Sequence, residues 1–446
     1  MKHLYHPSAL DVSAPVPSWW RASRPTPPDY APLEGDVEAD VAIIGGGYTG
    51  LSAAYHLAKE HGVKAVVLER AYPGWGASGR NGGFCCMGGS KLGWKRMITT
   101  YGLDQARAFH QAQIDSVETV GTLLAAEQID ADRTGRGEIA LAHRRSMLAE
   151  MATDAKFMAN AFGAQHALLD RDALAAQGCA GPHFHGGIAS PIGFGLNPFK
   201  YVTGLAAAAA ARGARIAAQS PVTGWTRETY GHRLTTPKGS VRADKVLIAT
   251  NGYTPEDLHD DFGGRLLPAL SSIVVTRPLT EAERQAAGWS STTPVYDLLN
   301  LLHYFRLLPD GRFLFGGRGG LSAEPGALER QSARIEAAFR HYYPAWKDVE
   351  ITHRWSGFVC LSADLLPHIG AWEEEPGIYY SVAYHGNGVA LGSWAGRTAA
   401  RLLATGENAA PQMLQKAPPR FPLAFLRPLY LRAAYLKFGI DDHFGR

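Results

Sequence analysis

Three glycines with a fixed spacing are the first residues whose pattern suggests chemistry. Gly45, Gly47 and Gly50 fit G-x-G-x-x-G within ADVAIIGGGYTGLSAAYHL. Such glycines allow a tight turn, let backbone N–H groups approach a pyrophosphate, and permit close packing of helix on strand. Glu69 ends the next apolar run, where a carboxylate can accept hydrogen bonds from ribose hydroxyls and disfavours a 2′-phosphate. The pattern predicts a dinucleotide site, which also includes the neighbouring residues Tyr48, Thr49 and Arg70.

A second glycine-rich stretch, AYPGWGASGRNGG, follows Arg70 directly. Glycine lets backbone donors close on a flat or charged ligand. A nicotinamide dinucleotide does not need such a loop, whereas an extended flavin cofactor often has one, so the stretch favours FAD over NAD. The residues predicted to surround the cofactor here are Ala77, Ser78, Arg80, Asn81, Gly82 and Gly83.

The elements that position these loops can be predicted from the apolar runs around them. Residues 41–44 and 65–68 predict buried parallel strands with a helix between them. DKVLIAT at 244–250 predicts a further strand of the same sheet, about 200 residues after the first. We therefore expect an α/β protein with a discontinuous nucleotide-binding domain, in which the other domain is built from insertions.

These expectations divide the chain into segments. The FAD-binding domain takes residues 39–100, 183–255 and 350–410, and the substrate-binding domain takes residues 101–182 and 256–349. Residues 1–38 form an arm that Trp19 and Trp20 anchor to the body, and residues 411–446 form a C-terminal tail.

The composition excludes several classes of function. The net charge is +3, from 44 basic and 41 acidic residues, so nucleic-acid binding is not expected. The four cysteines show no disulfide or zinc spacing, and we expect no metal site, because His183 and His185 are better explained as loop residues. No run approaches the ~18 apolar residues that span a membrane, and the first residues lack a signal-peptide pattern. We expect a soluble, cytoplasmic protein for which membrane contact is disfavoured.

Four motifs together resemble the D-amino-acid oxidase-like superfamily of FAD-dependent amine oxidoreductases, over about residues 15–408. They are DVAIIGGGYTGLSAAYHL with Glu69, GASGRNGG, DKVLIATNGYTP, and DLLPHIG followed by GIYYSVAYHGNGVALGSWAGR. Within the superfamily, SWW, NLLHYFRLLPDGRFLFGGR and LPHIG look most similar to γ-glutamylputrescine oxidoreductases. The resemblance implies an α/β fold, α+β overall, in which a discontinuous Rossmann-type FAD-binding domain is joined to a substrate domain with a mixed or antiparallel sheet. The flavin ring is then expected to lie between the two domains.

The resemblance also implies a reaction and further cofactor residues. A hydride passes from the carbon beside an amine to the flavin, the imine is hydrolysed to an aldehyde, and O2 (giving H2O2) or another acceptor takes the electrons. Val222 is placed beside the adenine, and Asn251 and Gly252 near the phosphates. The residues placed at the flavin edge are Gly357, Gly386, Asn387, Gly388 and Val389. Gly357 occupies the position at which sarcosine oxidases carry a flavin-linking Cys, so FAD is expected to be non-covalent.

Four residues are candidates for catalytic contacts. Tyr304 and Arg306 alternate on one strand and share a face. Tyr304 is predicted to line an amine pocket and Arg306 to bind a distal carboxylate such as a γ-glutamyl group, the alternative being a packed Tyr and a surface Arg. His385 and Trp355 precede the glycines of the flavin edge, and each is predicted to contact the ring or the substrate. Burial lowers the pKa of a substrate amine, and hydride transfer from the neutral amine needs no base.

The sequence is also compatible with functions other than the oxidation of a γ-glutamylputrescine-like amine. One is a sarcosine-type oxidase or dehydrogenase for N-methyl amino acids, and another is a flavin-binding subunit without turnover. The arginine that binds the substrate carboxylate in glycine and D-amino-acid oxidases falls near Val359, which disfavours a free α-amino acid. The sequence leaves open the exact amine, the electron acceptor and the oligomeric state. We interpret the basic and aromatic tail from Arg420 as a helix packed on the body rather than a membrane-docking segment.

Overall fold

A computed structural model describes residues 2–24, 26–324 and 326–444. In chain order its strands are β1 (Gly35–Ile44), β2 (Ala65–Leu68), β3 (Phe84–Cys86), β4 (Glu138–Leu141), β5 (Ala167–Asp170), β6 (Gly186–Ser190), β7 (Gly193–Gly195), β8 (Arg215–Ala217), β9 (Gly224–Arg227), β10 (His232–Thr236), β11 (Gly239–Ile248), β12 (Leu267–Pro278), β13 (Val295–Asp297), β14 (His303–Leu307), β15 (Arg312–Gly320), β16 (Ile351–Leu361), β17 (His368–Ala371) and β18 (Ile378–Val382). Its α-helices are α1 (Trp19–Ala22), α2 (Tyr48–His61), α3 (Trp94–Tyr101), α4 (Leu103–Ala126), α5 (Met147–Phe162), α6 (Arg171–Ala176), α7 (Pro198–Ala211), α8 (Glu281–Ala287), α9 (Ala327–Tyr342), α10 (Ala390–Thr405) and α11 (Arg427–Phe444).

The first sheet has the strand order β17-β18-β11-β1-β2-β8, with β10 and β9 extending it from β11. β1 pairs in parallel with β2 and β11, so that Val41 stands between Ala65 and Lys245. Its last four residues are buried because α2 and other helices cover the sheet. The α2 helix ends at Gly62, whose φ of 63° is a left-handed conformation that glycine adopts without strain.

The second sheet has the strand order β16-β12-β15-β14-β13-β4-β6-β5. It is mixed, because β13 and β4 pair in parallel while the other neighbours are antiparallel. One face packs against α9 through a cluster of buried aromatic residues that includes Phe305, Phe313 and Phe339. The opposite face carries Tyr304 and is directed toward the first sheet. A cavity lies between the two sheets, and residues of both line it.

The expected fold class is confirmed, although two strands depart from the expected segments. β16 lies within residues 350–410, which the sequence pattern assigns to the FAD-binding domain, but it pairs with β12 of the second sheet. β6 lies within 183–255 and pairs with β4, also in the second sheet. For these two strands the expected assignment to the FAD-binding domain is wrong. The apolar pattern of a strand shows that it is buried but does not show which neighbour it pairs with.

Both ends of the described chain lie against this body. Trp20 is buried, and its Nε1 donates a hydrogen bond to the carbonyl of Asn81 at 2.7 Å. At the other end, Arg427 in α11 is buried and pairs with Glu256, with Nη2 and Oε2 2.6 Å apart. Within the described ranges, no helix has both the length and the apolar character that a membrane span requires.

The glycine turn before α2 provides a test of this packing. A Cβ added at Gly50 would lie 2.0 Å from the carbonyl oxygen of Gly45. We expect Gly50→Ala to lower the free energy of unfolding by about 1–3 kcal/mol, the usual cost of overpacking. Gly439→Ala in α11 is the control, because a Cβ there meets no atom within 4 Å and alanine favours a helix. Denaturant unfolding followed by circular dichroism measures both, and equal stability of the two variants would contradict the expectation.

Candidate active site

A cavity of about 850 Å³ lies between the two sheets. It runs from the end of β2, where Glu69 and Val222 line it, to the second sheet, where Tyr304 and Arg318 line it. Of the twenty-one residues predicted to bind the cofactor, eighteen line this cavity, and Gly50, Gly83 and Gly252 do not. The residues of the predicted cofactor motifs therefore line the same cavity.

The α2 helix begins at the end of the cavity that holds Glu69. The residue before the helix is a glycine and provides no side-chain cap, while the N–H of Tyr48 donates to Oγ of Ser78 at 3.0 Å. The helix dipole at this end favours an anion. The Glu69 carboxylate accepts hydrogen bonds from the N–H of Gly46 (2.7 Å) and of Ala71 (2.9 Å). Burial raises the pKa of Glu69. This arrangement fixes the acid beside the glycine turn, as a ribose contact requires.

The three predicted glycines outside the cavity hold the backbone that forms its wall. A Cβ at Gly83 would lie 2.0 Å from the carbonyl oxygen of Leu196, and one at Gly252 would lie 3.1 Å from Cβ of Phe358. Gly50 packs on Gly45 in the same way. Their role is therefore close packing of backbone rather than contact with a ligand.

The second glycine loop is fixed by its own polar side chains. Asn81 donates from Nδ2 to the carbonyls of Ala77 (3.1 Å) and Ser78 (3.0 Å), and its Oδ1 accepts from the N–H of Gly83 (2.8 Å). Arg80 donates from Nε to the carbonyl of Trp75 at 2.7 Å. Asn81 thus shapes the loop, while Arg80 forms part of the cavity wall.

A second helix N-terminus faces the same cavity. The α10 helix begins after Val389 without a side-chain cap, and Gly386, Asn387 and Gly388 line the cavity just before it. Asn387 donates from Nδ2 to the carbonyl of Met87 at 2.7 Å, which fixes this loop. Two helix N-termini on one long cavity suit the two electron-rich parts of FAD, its pyrophosphate and the pyrimidine edge of its ring. The residues present therefore fit this cofactor.

Tyr304 is the predicted catalytic residue that lines the cavity. Its hydroxyl is 2.9 Å from Oγ of Ser271, and its ring lies 5.5 Å from that of Phe84, edge to face. Burial raises the pKa of Tyr304 to about 12, so the phenol keeps its proton at neutral pH and can donate a hydrogen bond.

Arg306 does not reach the cavity, which corrects its predicted contact with a substrate carboxylate. It shares a face with Tyr304, but its buried guanidinium donates to the carbonyls of Gly82 and Leu196 and to Oγ1 of Thr134. Burial lowers the pKa of Arg306 to about 10, so it stays charged at neutral pH. Its side chain holds the glycine loop against the second sheet.

His385 and Trp355 are also absent from the residues that line the cavity. His385 is buried, with Nε2 3.1 Å from the carbonyl of Leu366, and burial lowers its pKa to about 3. It is therefore a neutral group that supports the loop before α10. Trp355 donates from Nε1 to the carbonyl of Arg80 at 2.7 Å. Both residues hold backbone segments of the cavity wall without lining the cavity. The predicted contacts of His385 and Trp355 with the flavin ring or the substrate are therefore wrong.

The sequence reasoning missed the charged residues at the substrate end. Arg318, Lys91, Glu138 and Tyr296 all line the cavity there. The charge of Arg318, and then loss of hydration, lower the pKa of Lys91 to about 7. One signal could have identified Arg318. In the hairpin Tyr304 pairs with Gly316, and Arg318, two residues after Gly316, lies on the same face of the sheet. For Lys91, which lies in a loop, the sequence offered no periodic pattern.

The different contributions of Arg306 and Arg318 to stability can be tested. We expect Arg306→Met to lower the free energy of unfolding by about 3 kcal/mol or more, because buried carbonyls lose a charged donor. Arg318→Met should change it by less than about 1 kcal/mol, since the hydrogen bond from Arg318 to the His385 carbonyl is long, at 3.4 Å. Urea titration compares the two variants, and equal losses would remove the positioning role from Arg306.

Comparisons with known proteins agree with this geometry. The chain is 32% identical over 378 residues to the γ-glutamylputrescine oxidoreductase of Escherichia coli (84% of this chain, 86% of the relative). It is 31% identical over 393 residues to a probable oxidoreductase, OrdL, of Haemophilus influenzae (87% and 88%). Its fold matches a crystal structure of glycine oxidase from Geobacillus kaustophilus, with a TM-score of 0.70, 21% identity, and coverage of 86% of this chain and 100% of that one.

The family match extends over nearly the whole cavity. The sequence profile of the DAO family, described as FAD dependent oxidoreductase, matches residues 40–402. This range contains both glycine loops, the second sheet and the start of α10. The chain therefore belongs to the DAO family of FAD-dependent oxidoreductases, and FAD is its cofactor.

Proposed function

We propose that this enzyme oxidises a C–N bond in an amine that also carries a carboxylate, with γ-glutamylputrescine as the model substrate. The observation that carries the proposal is the pair of cations, Arg318 and Lys91, beside Tyr304 at the substrate end of the cavity. Two positive charges in a confined space attract an anionic group. The name of the Escherichia coli relative supports the same substrate class.

The chain's own residues bind and desolvate the amine. Bound FAD supplies the acceptor for the hydride and passes the electrons to O2 or another acceptor. The aromatic side chains of Phe84 and Tyr304 form one wall of the cavity and exclude water from the C–N bond. In such surroundings the pKa of the substrate amine falls, and the neutral amine is the form that can lose a hydride. The imine product then hydrolyses to an aldehyde.

We also propose that FAD is held without a covalent bond. Cys86 and Cys360 line the cavity, but burial raises the pKa of both thiols, and a thiolate is the reactive form of cysteine. Treatment with acid should release all of the flavin into the supernatant, and flavin that stays with the precipitated protein would contradict this.

The substrate class is tested by anaerobic reduction of the flavin. We expect γ-glutamylputrescine to bleach the flavin absorbance, and Arg318→Gln to raise KM for this substrate about tenfold or more, because a hydrogen bond to a charged group contributes about 1.5–3 kcal/mol. An alkylamine without a carboxylate should show no such change. Arg432→Gln, which alters an exposed arginine of α11, is the control. Bleaching by sarcosine alone would favour the N-methyl amino acid oxidase, and no bleaching by any amine would indicate a subunit without turnover.

The pKa of Lys91 gives a pH dependence. Because this pKa is lowered to about 7, Lys91 is charged below pH 7 and becomes neutral as the pH rises through that value. The affinity for a carboxylate-bearing inhibitor should therefore fall between about pH 6 and pH 8, and Lys91→Met should abolish this fall. Titration of the flavin spectrum with the inhibitor measures it, and an unchanged profile in the variant would exclude Lys91 as the cause.

A further inference from the structure

We infer that Glu138 forms an acidic subsite that binds a second, positively charged group of the substrate, an ammonium remote from the oxidised C–N bond. The inference rests on the proposed function in that the cavity must receive an amine. It adds a chemical class, namely polyamines, in which a second amino group lies several bonds from the oxidised one.

The register of the second sheet places Glu138 at one end of a row of side chains. Tyr296 on β13 is paired with Tyr304 on β14 and with Ala140 on β4. Glu138 is two residues before Ala140, and alternate residues of a strand share a face. Glu138, Tyr296 and Tyr304 therefore look toward the same space, and all three line the cavity.

The opposite end of the row is positive. Tyr304 is paired with Gly316 on β15, and Arg318 lies two residues further along the same face. The strands of Glu138 and Arg318 are separated by three strand spacings, about 14 Å in all. The substrate end of the cavity therefore has a negative pole and a positive pole, with the aromatic rings of Tyr296 and Tyr304 between them.

Glu138 differs from the other acid of the cavity in what it contacts. Among the described residues that line the cavity, the acidic side chains are those of Glu69 and Glu138. Both oxygens of Glu69 accept backbone N–H groups. Glu138 interacts with the thiol of Cys86, and in the described part of the chain no Lys, Arg or His forms a salt bridge with it. A carboxyl group without a cation, at the wall of a cavity, can bind an ammonium that enters.

The titration of Glu138 supports this role. Burial raises the pKa of Glu138 to about 7. The groups that face it are the Cys86 thiol and the Tyr296 phenol, and both stay neutral near pH 7 because their own pKa values are raised. An ammonium beside Glu138 favours the ionised carboxylate. Binding of a second ammonium should therefore strengthen as the pH rises through about 7.

The experiment compares putrescine with n-butylamine, which has the same chain and lacks the second amino group. Anaerobic titration of the oxidised holoenzyme at pH 8 gives the affinity of each amine from the flavin spectrum, and rapid mixing gives the rate of bleaching. We expect the wild type to prefer putrescine about tenfold or more, and Glu138→Gln to reduce this preference to about onefold with little change for butylamine. Glu138→Asp should retain part of the preference. Glu329→Gln, at an exposed position of α9, should retain all of it.

The possible failures are distinct. Bleaching by both amines with the same preference in wild type and Glu138→Gln would overturn the subsite and leave the proposed function intact. A preference in binding that depends on Glu138, without bleaching by any amine, would support the subsite and overturn the proposed function. If Glu138→Gln does not retain FAD, the pH profile of Lys91→Met decides, because this variant lacks the other group of the cavity whose pKa is near 7. A preference for putrescine that rises through about pH 7 supports the subsite, and a flat profile overturns it.

Discussion

The buried guanidinium of Arg306 is the interaction on which the shape of the site depends. It joins three segments that are distant in sequence, through the carbonyls of Gly82 and Leu196 and the hydroxyl of Thr134. A buried charge is stable only when its donors are satisfied, so these three segments must come together in one arrangement. The glycine loop is thereby pressed against the second sheet, and Tyr304, two residues away, is left facing the cavity.

The two ends of the cavity use different kinds of group. At the cofactor end, two helix N-termini border the cavity, and side chains such as Asn81 and Asn387 fix loops that line it. At the substrate end, charged and aromatic side chains of the second sheet line the wall. A binding site built from backbone groups selects a ligand by its shape and negative charge. A site built from side chains can acquire a different substrate specificity through a few substitutions.

The difference between these ends explains what the sequence could predict. The Rossmann-type elements were predictable because a buried parallel strand, a glycine turn and a helix leave local patterns, and the structure has β1, α2, β2 and β11 at the expected places.

The roles of the side chains on the second sheet were less accessible. Alternation correctly placed Tyr304 and Arg306 on one face, but the direction of a long side chain depends on the carbonyls it can reach, and those belong to other segments. Glu138 lies on a four-residue strand that pairs with residues more than 150 positions later, so its neighbours leave no trace in the local sequence. The same reason explains why β6 and β16 were expected in the other sheet.

The parallel pairing of β1 with β11, and the packing of α10 against α2, have a consequence for biosynthesis. The ribosome makes the first glycine turn early, but the strand that flanks it is about 200 residues further along, and the helix that closes the cavity starts at residue 390. Contacts between residues so far apart form slowly, because a long loop must be closed first. The cavity walls therefore meet only when most of the chain has been synthesised, and uptake of FAD becomes one of the last events in the maturation of the enzyme.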